Sequence, residues 1–219
     1  MNRAALAPVE RATIERYNAR LGKFGDDPRT LGWDTRRNQL RRFDAALRLA
    51  DPAGKKVLDI GCGFADFLAF LKDRKAAPRS YRGLDINRGL LKVARRKHPR
   101  ASFEARNLLA RPFSAPVCDV GYMFGLLNFR LKTPTNKAYA AALIAAAFSA
   151  CREALVVDML SAERDPAYPK EAAVYYYEPA WALGVAFGLT PHAALKHDYA
   201  GLPQREFMLC LRRRPEGLP

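Results

Sequence analysis

The stretch VLDIGCGFADF, residues 57–67, joins an apolar run to a loop of small residues that could hold a ligand against its backbone. Gly61 and Gly63 let the chain turn tightly and let a ligand approach the main chain closely. A pyrophosphate-binding fingerprint would add a third glycine, with the diphosphate resting on the start of the next helix. Here Ala65 takes that place, and Asp66 would put a negative charge where the phosphate lies. The loop therefore favours a phosphate-free ligand over NAD or FAD.

A second candidate for ligand binding is Asp85, which lies at the end of the run SYRGLDI, twenty residues beyond Ala65. A carboxylate at the end of a second strand can accept hydrogen bonds from both hydroxyls of a ribose. The competing interpretation is a helix N-cap, a role open to Asp85 or Asn87. With the glycine loop in register, the position favours ribose binding.

The elements that must position these residues alternate between strands and helices from Lys56 onward. Five apolar runs predict strands, and the segments between them have helical periodicity. These runs are KVLDIG, SYRGLDI, ASFEA, VCDVGYMFG and ALVVDML. Continuous apolar runs are typical of parallel strands buried on both faces. Near the end of the chain, HAALKHDY and REFMLCLRR flank the turn-rich AGLPQ and predict a hairpin.

These patterns predict an α/β fold with a Rossmann-like, doubly wound sheet of seven strands. The sheet is expected to be mostly parallel, with an antiparallel C-terminal hairpin strand at one edge. The first fifty residues have a helical pattern, and Pro8 suits the start of a helix. We therefore expect residues 1–50 to form a helical lid and residues 51–219 to form the ligand-binding domain.

Bulk properties narrow the function classes further. The net charge of +15 favours an anionic partner such as nucleic acid, a phosphorylated metabolite or a membrane surface. The basic residues are spread along the chain, which makes nucleic acid the less favoured of these partners. Four scattered cysteines without a CxxC pair predict neither a metal site nor disulfides. With no signal-peptide pattern and no apolar run long enough for a transmembrane segment, we expect a cytoplasmic protein.

The motifs VLDIGCGFADF, GLDI, FEARNLL and CDVGYMFG together resemble the class I S-adenosylmethionine-dependent methyltransferase family, over roughly residues 35–160. The resemblance implies S-adenosyl-L-methionine as the cofactor and transfer of its methyl group as the reaction. It also implies which positions contact the cofactor: Asp59, Gly61 and Gly63 at its amino-acid part, Asp85 at the ribose, and Ile86 at the adenine.

The resemblance also extends to Asn107 and to a segment upstream of the first strand. Asn107 stands where the family often has an acidic residue that contacts the adenine amino group, and an amide oxygen can still accept that hydrogen bond. The upstream segment resembles the GW…Q..RF lead-in of small bacterial methyltransferases, which places Trp33 at the cofactor. Arg42 of the same segment could pair its guanidinium with the cofactor carboxylate. The alternative for Arg42 is a solvated arginine on a helix.

Methyl transfer from a sulfonium needs an aligned nucleophile and the exclusion of water, and it needs a base only where the nucleophile must lose a proton. Three segments could line the acceptor side: GLLNFR with Asn128, YYYEP with Tyr176, and KHDY with His197 and Tyr199. Tyr17 could cover the cofactor from the first helix, since aromatic faces attract a sulfonium. The alternative for the rings is packing against the sheet, and for His197 a structural role is favoured.

Motifs for methylation of base amines or of cytosine C5 do not follow the fourth strand, so a small-molecule metabolite is the favoured substrate. The basic charge allows that metabolite to be anionic. Three alternatives stay open: an enzyme of this fold that cyclises or cleaves S-adenosylmethionine, a basic RNA-modifying methyltransferase, and a cofactor-binding regulator without catalysis.

Overall fold

The computed structural model of the chain describes residues 3–163, 171–198 and 206–217. In this part of the chain seven strands form a sheet in the order β3-β2-β1-β4-β5-β7-β6. The strands are β1 (Lys56–Ile60), β2 (Ser80–Asp85), β3 (Ser102–Ala105), β4 (Cys118–Met123), β5 (Cys151–Leu160), β6 (Ala193–Lys196) and β7 (Glu206–Arg212). Neighbours among β1 to β5 pair in parallel, whereas β7 runs antiparallel to both β5 and β6. The predicted doubly wound, mostly parallel sheet is thus confirmed.

The C-terminal hairpin differs in one detail from its expected place. The antiparallel strand β7 lies between β5 and β6, so the sheet edge is formed by β6, which is short. This insertion gives β7 a partner on each side, and its residues from Glu206 to Leu211 are buried. Tyr199 and the turn-rich segment AGLPQ lie outside the described residues.

Six helices surround the sheet in the described part of the chain. They are α1 (Arg3–Phe24), α2 (Arg36–Leu47), α3 (Asp66–Asp73), α4 (Arg88–Lys97), α5 (Asn136–Ser149) and α6 (Pro179–Phe187). Pro8 lies inside α1 rather than at its start, so the helix continues past one position that cannot donate a backbone hydrogen bond. The Thr35 side chain caps α2 by accepting a hydrogen bond from the Asn38 amide at 3.2 Å. Within the described residues, no helix is long and apolar enough to cross a membrane.

Apolar side chains cover the sheet on both faces and anchor α2 firmly to it. Phe43 of α2 is 3% exposed, and its ring packs against Phe67, Phe70 and Phe124 with centroid distances of 4.8–5.5 Å. Aromatic rings of this kind bury large areas and favour tilted or edge-on contacts. The segment after the first helix therefore shares a core with the sheet, at the end where β1 and β4 terminate.

Candidate active site

A cavity lies at the carboxyl ends of β1, β2 and β4, beneath α1 and beside α2. Ligands of doubly wound sheets bind at this end, where the strand order reverses between β1 and β4. Most of the residues predicted from the sequence line this cavity: Tyr17, Trp33, Asp59, Gly61, Gly63, Asp85, Ile86 and Asn107. Arg42, Asn128, Tyr176 and His197 are not among the lining residues.

The loop after β1 leaves no room for side chains at its glycines. Gly61 and Gly63 have φ angles of +77° and +53°, a region that side chains strongly disfavour. A Cβ atom on Gly61 would stand 2.7 Å from the Leu126 side chain, and one on Gly63 would stand 2.8 Å from Leu31. Ala65 has a φ of +59° as well, so it adopts a glycine-like conformation in spite of its methyl group. Position 65 is thus an alanine, but its backbone has the positive φ angle that a third glycine would adopt.

Asp85 holds the loop and the following helix together. Its Oδ2 accepts a hydrogen bond from the Gly63 amide at 3.0 Å, and its Oδ1 accepts one from the Asn87 amide at 2.8 Å. Asn87 is the N-cap of α4, because its side chain accepts from the Gly89 and Leu90 amides. Each oxygen of Asp85 has a second lone pair left for a ligand hydroxyl. Burial raises the pKa of Asp85 above its usual value, and the backbone hydrogen bonds oppose that rise.

Asp66 lines the cavity with its charge already compensated. Its Oδ1 accepts from Lys97 Nζ at 3.0 Å, and its Oδ2 lies 3.1 Å from Gln39 Nε2 and 3.3 Å from Arg36 Nη1. Two cations therefore balance one buried carboxylate. The repulsion of a phosphate expected from Asp66 is correspondingly weakened, and what still disfavours a diphosphate is the methyl group of Ala65 at the position of the third glycine.

Asp59 is buried beside the cavity and accepts a hydrogen bond from the Tyr81 hydroxyl. Burial raises the pKa of Asp59 to about 7; the Tyr81 hydrogen bond lowers it, and the nearby Asp85 and Asp66 raise it further. A positive charge entering the cavity would favour the ionised form of this group.

Tyr17 covers the cavity from α1, as predicted. Its ring meets Phe129 edge-on at 5.9 Å between centroids, and Arg16 of the same helix lies 3.8 Å over that phenylalanine ring. Burial raises the pKa of Tyr17 to about 12, and the charge of Asp85 contributes to the rise. At neutral pH the hydroxyl therefore keeps its proton and can act as a hydrogen-bond donor, not as a base.

The side-chain amide of Asn107 makes hydrogen bonds other than the one expected from the sequence. Its amide oxygen accepts hydrogen bonds from the backbone amides of Leu109 at 3.1 Å and Ala110 at 3.3 Å. Its amide nitrogen donates to Glu10 Oε2 of α1 at 2.8 Å. Both lone pairs of the oxygen are thus used, which corrects the expectation that this atom accepts from an adenine amino group.

Arg42 is neither a solvated helix arginine nor free to face a ligand. Its guanidinium is 9% exposed and donates through Nε to Glu206 Oε2 at 2.5 Å and through Nη2 to the other Glu206 oxygen. Asp158 Oδ2 lies 3.7 Å from Nε, and the ring of Trp33 lies 4.7 Å away. The pairing predicted for a cofactor carboxylate is therefore made within the protein, by Glu206 of β7.

The other predicted catalytic residues lie around the cavity without lining it. Asn128 is not a lining residue, and its buried Oδ1 has no hydrogen-bond partner within the described residues. The Tyr176 hydroxyl accepts from the Glu171 amide at 3.2 Å. The His197 ring packs edge-on against Phe207 at 6.1 Å, in keeping with the structural role favoured from the sequence.

Sequence reasoning found Tyr17 but missed the other residues of α1 on the same side of the helix. Val9, Thr13 and Tyr17 all line the cavity, and Glu10 adjoins them through Asn107. Their spacing of three and four residues is the signal that could have found them, because it places all of them on one side of a helix.

A family model described as "Methyltransferase domain" matches residues 57–148. A fatty-acid O-methyltransferase of Mycolicibacterium smegmatis is 34% identical to this chain over 68 residues. That match covers 31% of this chain and only 24% of the mycobacterial protein.

Two solved structures have a similar fold over almost the whole chain. The magnesium protoporphyrin IX methyltransferase of Synechocystis, solved with bound S-adenosylmethionine, has a TM-score of 0.66 at 15% identity and covers 98% of this chain and 100% of its own. Phosphoethanolamine N-methyltransferase 1 of Haemonchus contortus was solved with phosphoethanolamine and S-adenosylhomocysteine. It has a TM-score of 0.65 at 11% identity, and the match covers 97% of this chain and 51% of the Haemonchus chain. At such identities the likeness concerns the fold. Residues 57–148 thus match a methyltransferase domain, and the chain has the fold of these S-adenosylmethionine-dependent methyltransferases.

Proposed function

We propose that the chain is an S-adenosylmethionine-dependent methyltransferase that acts on a small-molecule metabolite. The observation that carries the proposal is the convergence of the positive-φ glycine loop and Asp85 on one cavity covered by α1. A class I S-adenosylmethionine-dependent methyltransferase domain needs a backbone cradle and a ribose acceptor, and the loop after β1 and Asp85 of β2 support the proposal as candidates for these two parts.

The residues present fit the cofactor part by part. Gly61 and Gly63 provide bare backbone at the amino-acid end, because any Cβ there would collide with leucine side chains. Asp85 offers a free lone pair on each oxygen to the two ribose hydroxyls. Ile86, half-buried at the cavity wall, offers an apolar surface to the base. Arg42 is left out of this assignment because Glu206 holds its guanidinium.

S-adenosylmethionine, when bound, supplies an electrophilic methyl group on a sulfonium. The chain's own contribution is to hold the partners in line and to exclude water. Trp33, Phe43 and Phe124 give the cavity an aromatic side, and Tyr17 closes it from α1. Aromatic faces stabilise a sulfonium by cation–π attraction without reacting with it. With Tyr17 protonated at neutral pH, no side chain of the lining is assigned as a general base.

Residues 1–50 are proposed as the element that shapes access to the site, with residues 51–219 as the catalytic domain. Three polar contacts join α1 to the segments that follow β2 and β3: the Asn107–Glu10 pair, and hydrogen bonds from Asn87 Nδ2 to Asn18 Oδ1 at 2.9 Å and to the Ile14 carbonyl at 3.3 Å. α1 also packs through Leu6, which is 1% exposed, and through Tyr17 and Leu21, which contact Leu90 and Val93 of α4, so it is held by apolar as well as polar contacts.

The proposed acceptor is a small molecule, and the charge of +15 favours an anionic one. A cytoplasmic location is proposed with it. The test is to incubate the protein with S-adenosylmethionine alone and with a metabolite pool, and to follow both by mass spectrometry. S-adenosylhomocysteine that forms only with the pool supports the proposal. Thioether products without an acceptor would instead indicate cyclisation or cleavage of the cofactor, and methylation of added RNA only, lost steeply with salt, would indicate nucleic acid.

The glycine loop gives a prediction with a matched control. Gly61→Ala places a methyl group 2.7 Å from Leu126 in a backbone region that costs alanine about 1–2 kcal/mol. Gly54 has a similar φ angle, +69°, but a Cβ atom added there would have no heavy atom within 4 Å. Gly54 lies before the opposite end of β1, so Gly54→Ala is the matched control. Both variants should lose stability, whereas only Gly61→Ala should weaken S-adenosylmethionine binding, by roughly tenfold or more. Calorimetry and thermal melts measure the two effects, and equal affinities in both variants would contradict the assigned role of the loop.

Asp59 makes cofactor affinity depend on pH. Its raised pKa, about 7, means that the carboxyl is partly protonated in the free protein near neutrality. A cationic ligand favours the carboxylate, so binding releases a proton and affinity rises with pH until the group is fully ionised. We expect roughly tenfold weaker binding of S-adenosylmethionine at about pH 6 than at about pH 8. Asp59→Asn should flatten this dependence to the part that Asp85 contributes; an unchanged slope would refute the assignment.

A further inference from the structure

A hydrogen-bond acceptor that belongs neither to β2 nor to β3 lies near the end of the cavity that would receive the base. A base joined to a ribose held by Asp85 would lie beside the next residue, Ile86, and beside Asn107, which follows β3; both residues line the cavity. The amide oxygen of Asn107 is already used by two backbone amides. Its nitrogen is a donor only, so Asn107 cannot accept a hydrogen bond from an exocyclic amine.

The orientation of this amide follows from its partners. The backbone amides of Leu109 and Ala110 are donors and must face the oxygen, while the carboxylate of Glu10 is an acceptor and must face the nitrogen. Reversing the amide would break three hydrogen bonds at once. The group is therefore fixed, and its role is to hold the Glu10 side chain.

Glu10 is half-buried on α1, where Ile86, Asn107 and Arg106 belong both to the cavity and to the adjoining groove that Glu10 lines. Its Oε2 accepts from Asn107, which leaves Oε1 with no protein hydrogen bond within the described residues. Its charge also acts on Tyr139 of the cavity wall, whose pKa is raised to about 12 by burial and by Glu10. An acceptor held by one oxygen thus lies at the junction of the two spaces.

We infer that Glu10 of α1, held by Asn107, accepts the hydrogen bond of the cofactor's exocyclic adenine amine. The inference rests on the proposed function and deepens it. A carboxylate at this place attracts an amine and repels the oxygen of a 6-oxo base. The first helix therefore distinguishes adenine from a 6-oxo base. Because Val9, Thr13 and Tyr17 line the same cavity from α1, the helix that covers the site also supplies the acceptor for the adenine amine.

The test compares S-adenosylhomocysteine with S-inosylhomocysteine, which has an oxygen in place of the amine, by calorimetry on the full chain. The wild-type protein should prefer the adenosyl compound by about tenfold or more. Glu10→Ala should reduce the preference to about threefold or less, mainly by weakening the adenosyl compound. In Glu10→Gln the side-chain oxygen would accept from Asn107 and the nitrogen would face the base, so the preference should fall further or reverse. Asp73→Ala, at an exposed acid of α3 that lines neither space, should change nothing.

A second pair of variants separates recognition from loss of folding. Asn107→Asp alone sets two carboxylates against each other and should weaken binding of both compounds. Combined with Glu10→Ala, it places a carboxylate where the base can reach it and should restore the preference to about tenfold. A Glu10→Ala protein that folds and keeps the wild-type preference would overturn the inference, and so would a double variant without preference. If the wild-type protein binds neither compound, the proposed function itself fails.

Discussion

Replacing Asp85 by alanine should weaken S-adenosylmethionine binding by roughly a hundredfold to ten-thousandfold. Two hydrogen bonds from ribose hydroxyls to a carboxylate are lost, and each bond to a charged group contributes about 1.5–3 kcal/mol. The change also removes the acceptor of the Gly63 and Asn87 amides, which hold the glycine loop against the start of α4. Binding and loop geometry therefore fail together, and calorimetry on the purified chain measures the loss.

Two controls separate the ligand role of Asp85 from its structural role. Asp119 accepts a hydrogen bond from the Lys56 amide at 2.8 Å, but at the opposite end of the sheet. Asp119→Ala should therefore reduce stability while leaving affinity unchanged. Asp85→Asn keeps the size of the side chain but only one acceptor oxygen, so its affinity should fall between wild type and alanine. Wild-type affinity in a folded Asp85→Ala protein would refute ribose binding at this position.

The second large effect concerns stability. Glu206→Ala removes the bidentate partner of Arg42 and leaves a buried guanidinium with Asp158 Oδ2, 3.7 Å away, as its nearest carboxylate. Breaking a buried ion pair by removing one partner costs about 3–5 kcal/mol, because an uncompensated charge stays in the interior. We expect a decrease at the lower end of that range, since Asp158 remains. Urea unfolding of the two proteins provides the measurement.

The matched comparison is the exposed pair of Lys55 and Glu153, which are 2.5 Å apart. Glu153→Ala should change the unfolding free energy by about 1 kcal/mol or less, as exposed ion pairs do. The double variant Arg42→Met with Glu206→Leu removes both charges of the pair and should recover part of the stability lost in Glu206→Ala, since the buried Asp158 loses its neighbouring cation. The affinity of this double variant for S-adenosylmethionine is a further measurement. Strong binding is expected if the only role of Arg42 is its pairing within the protein. Loss of binding would indicate that Arg42 pairs with the cofactor carboxylate.

The parts of the site that could be predicted from the sequence are those encoded within one short stretch. The turn after β1 needs Gly61 and Gly63 for their φ angles, and the order of strand, loop and helix is visible in residues 57–67 alone. Asp85 was found because it ends an apolar run and therefore shares a sheet edge with that loop. The strand pattern gave the doubly wound sheet for the same local reason.

The parts that could not be predicted depend on partners far apart in the chain. Arg42 and Glu206 are separated by 164 positions, and nothing local to either residue indicates the other. Asn107 and Glu10 are separated by 97 positions, and only their pairing reveals that the amide oxygen faces backbone donors. Likewise, β7 lies between β5 and β6 because of long-range pairing that a hairpin pattern does not specify.

The central claim is that the cavity at the ends of β1 and β2 holds S-adenosylmethionine. The most direct test is calorimetric titration of the full chain with S-adenosylmethionine and, in parallel, with NAD. We predict saturable binding of one S-adenosylmethionine per chain, with a dissociation constant of roughly 1–100 µM, and no binding of NAD. Absence of S-adenosylmethionine binding at about millimolar concentration, or tighter binding of NAD, would contradict the account.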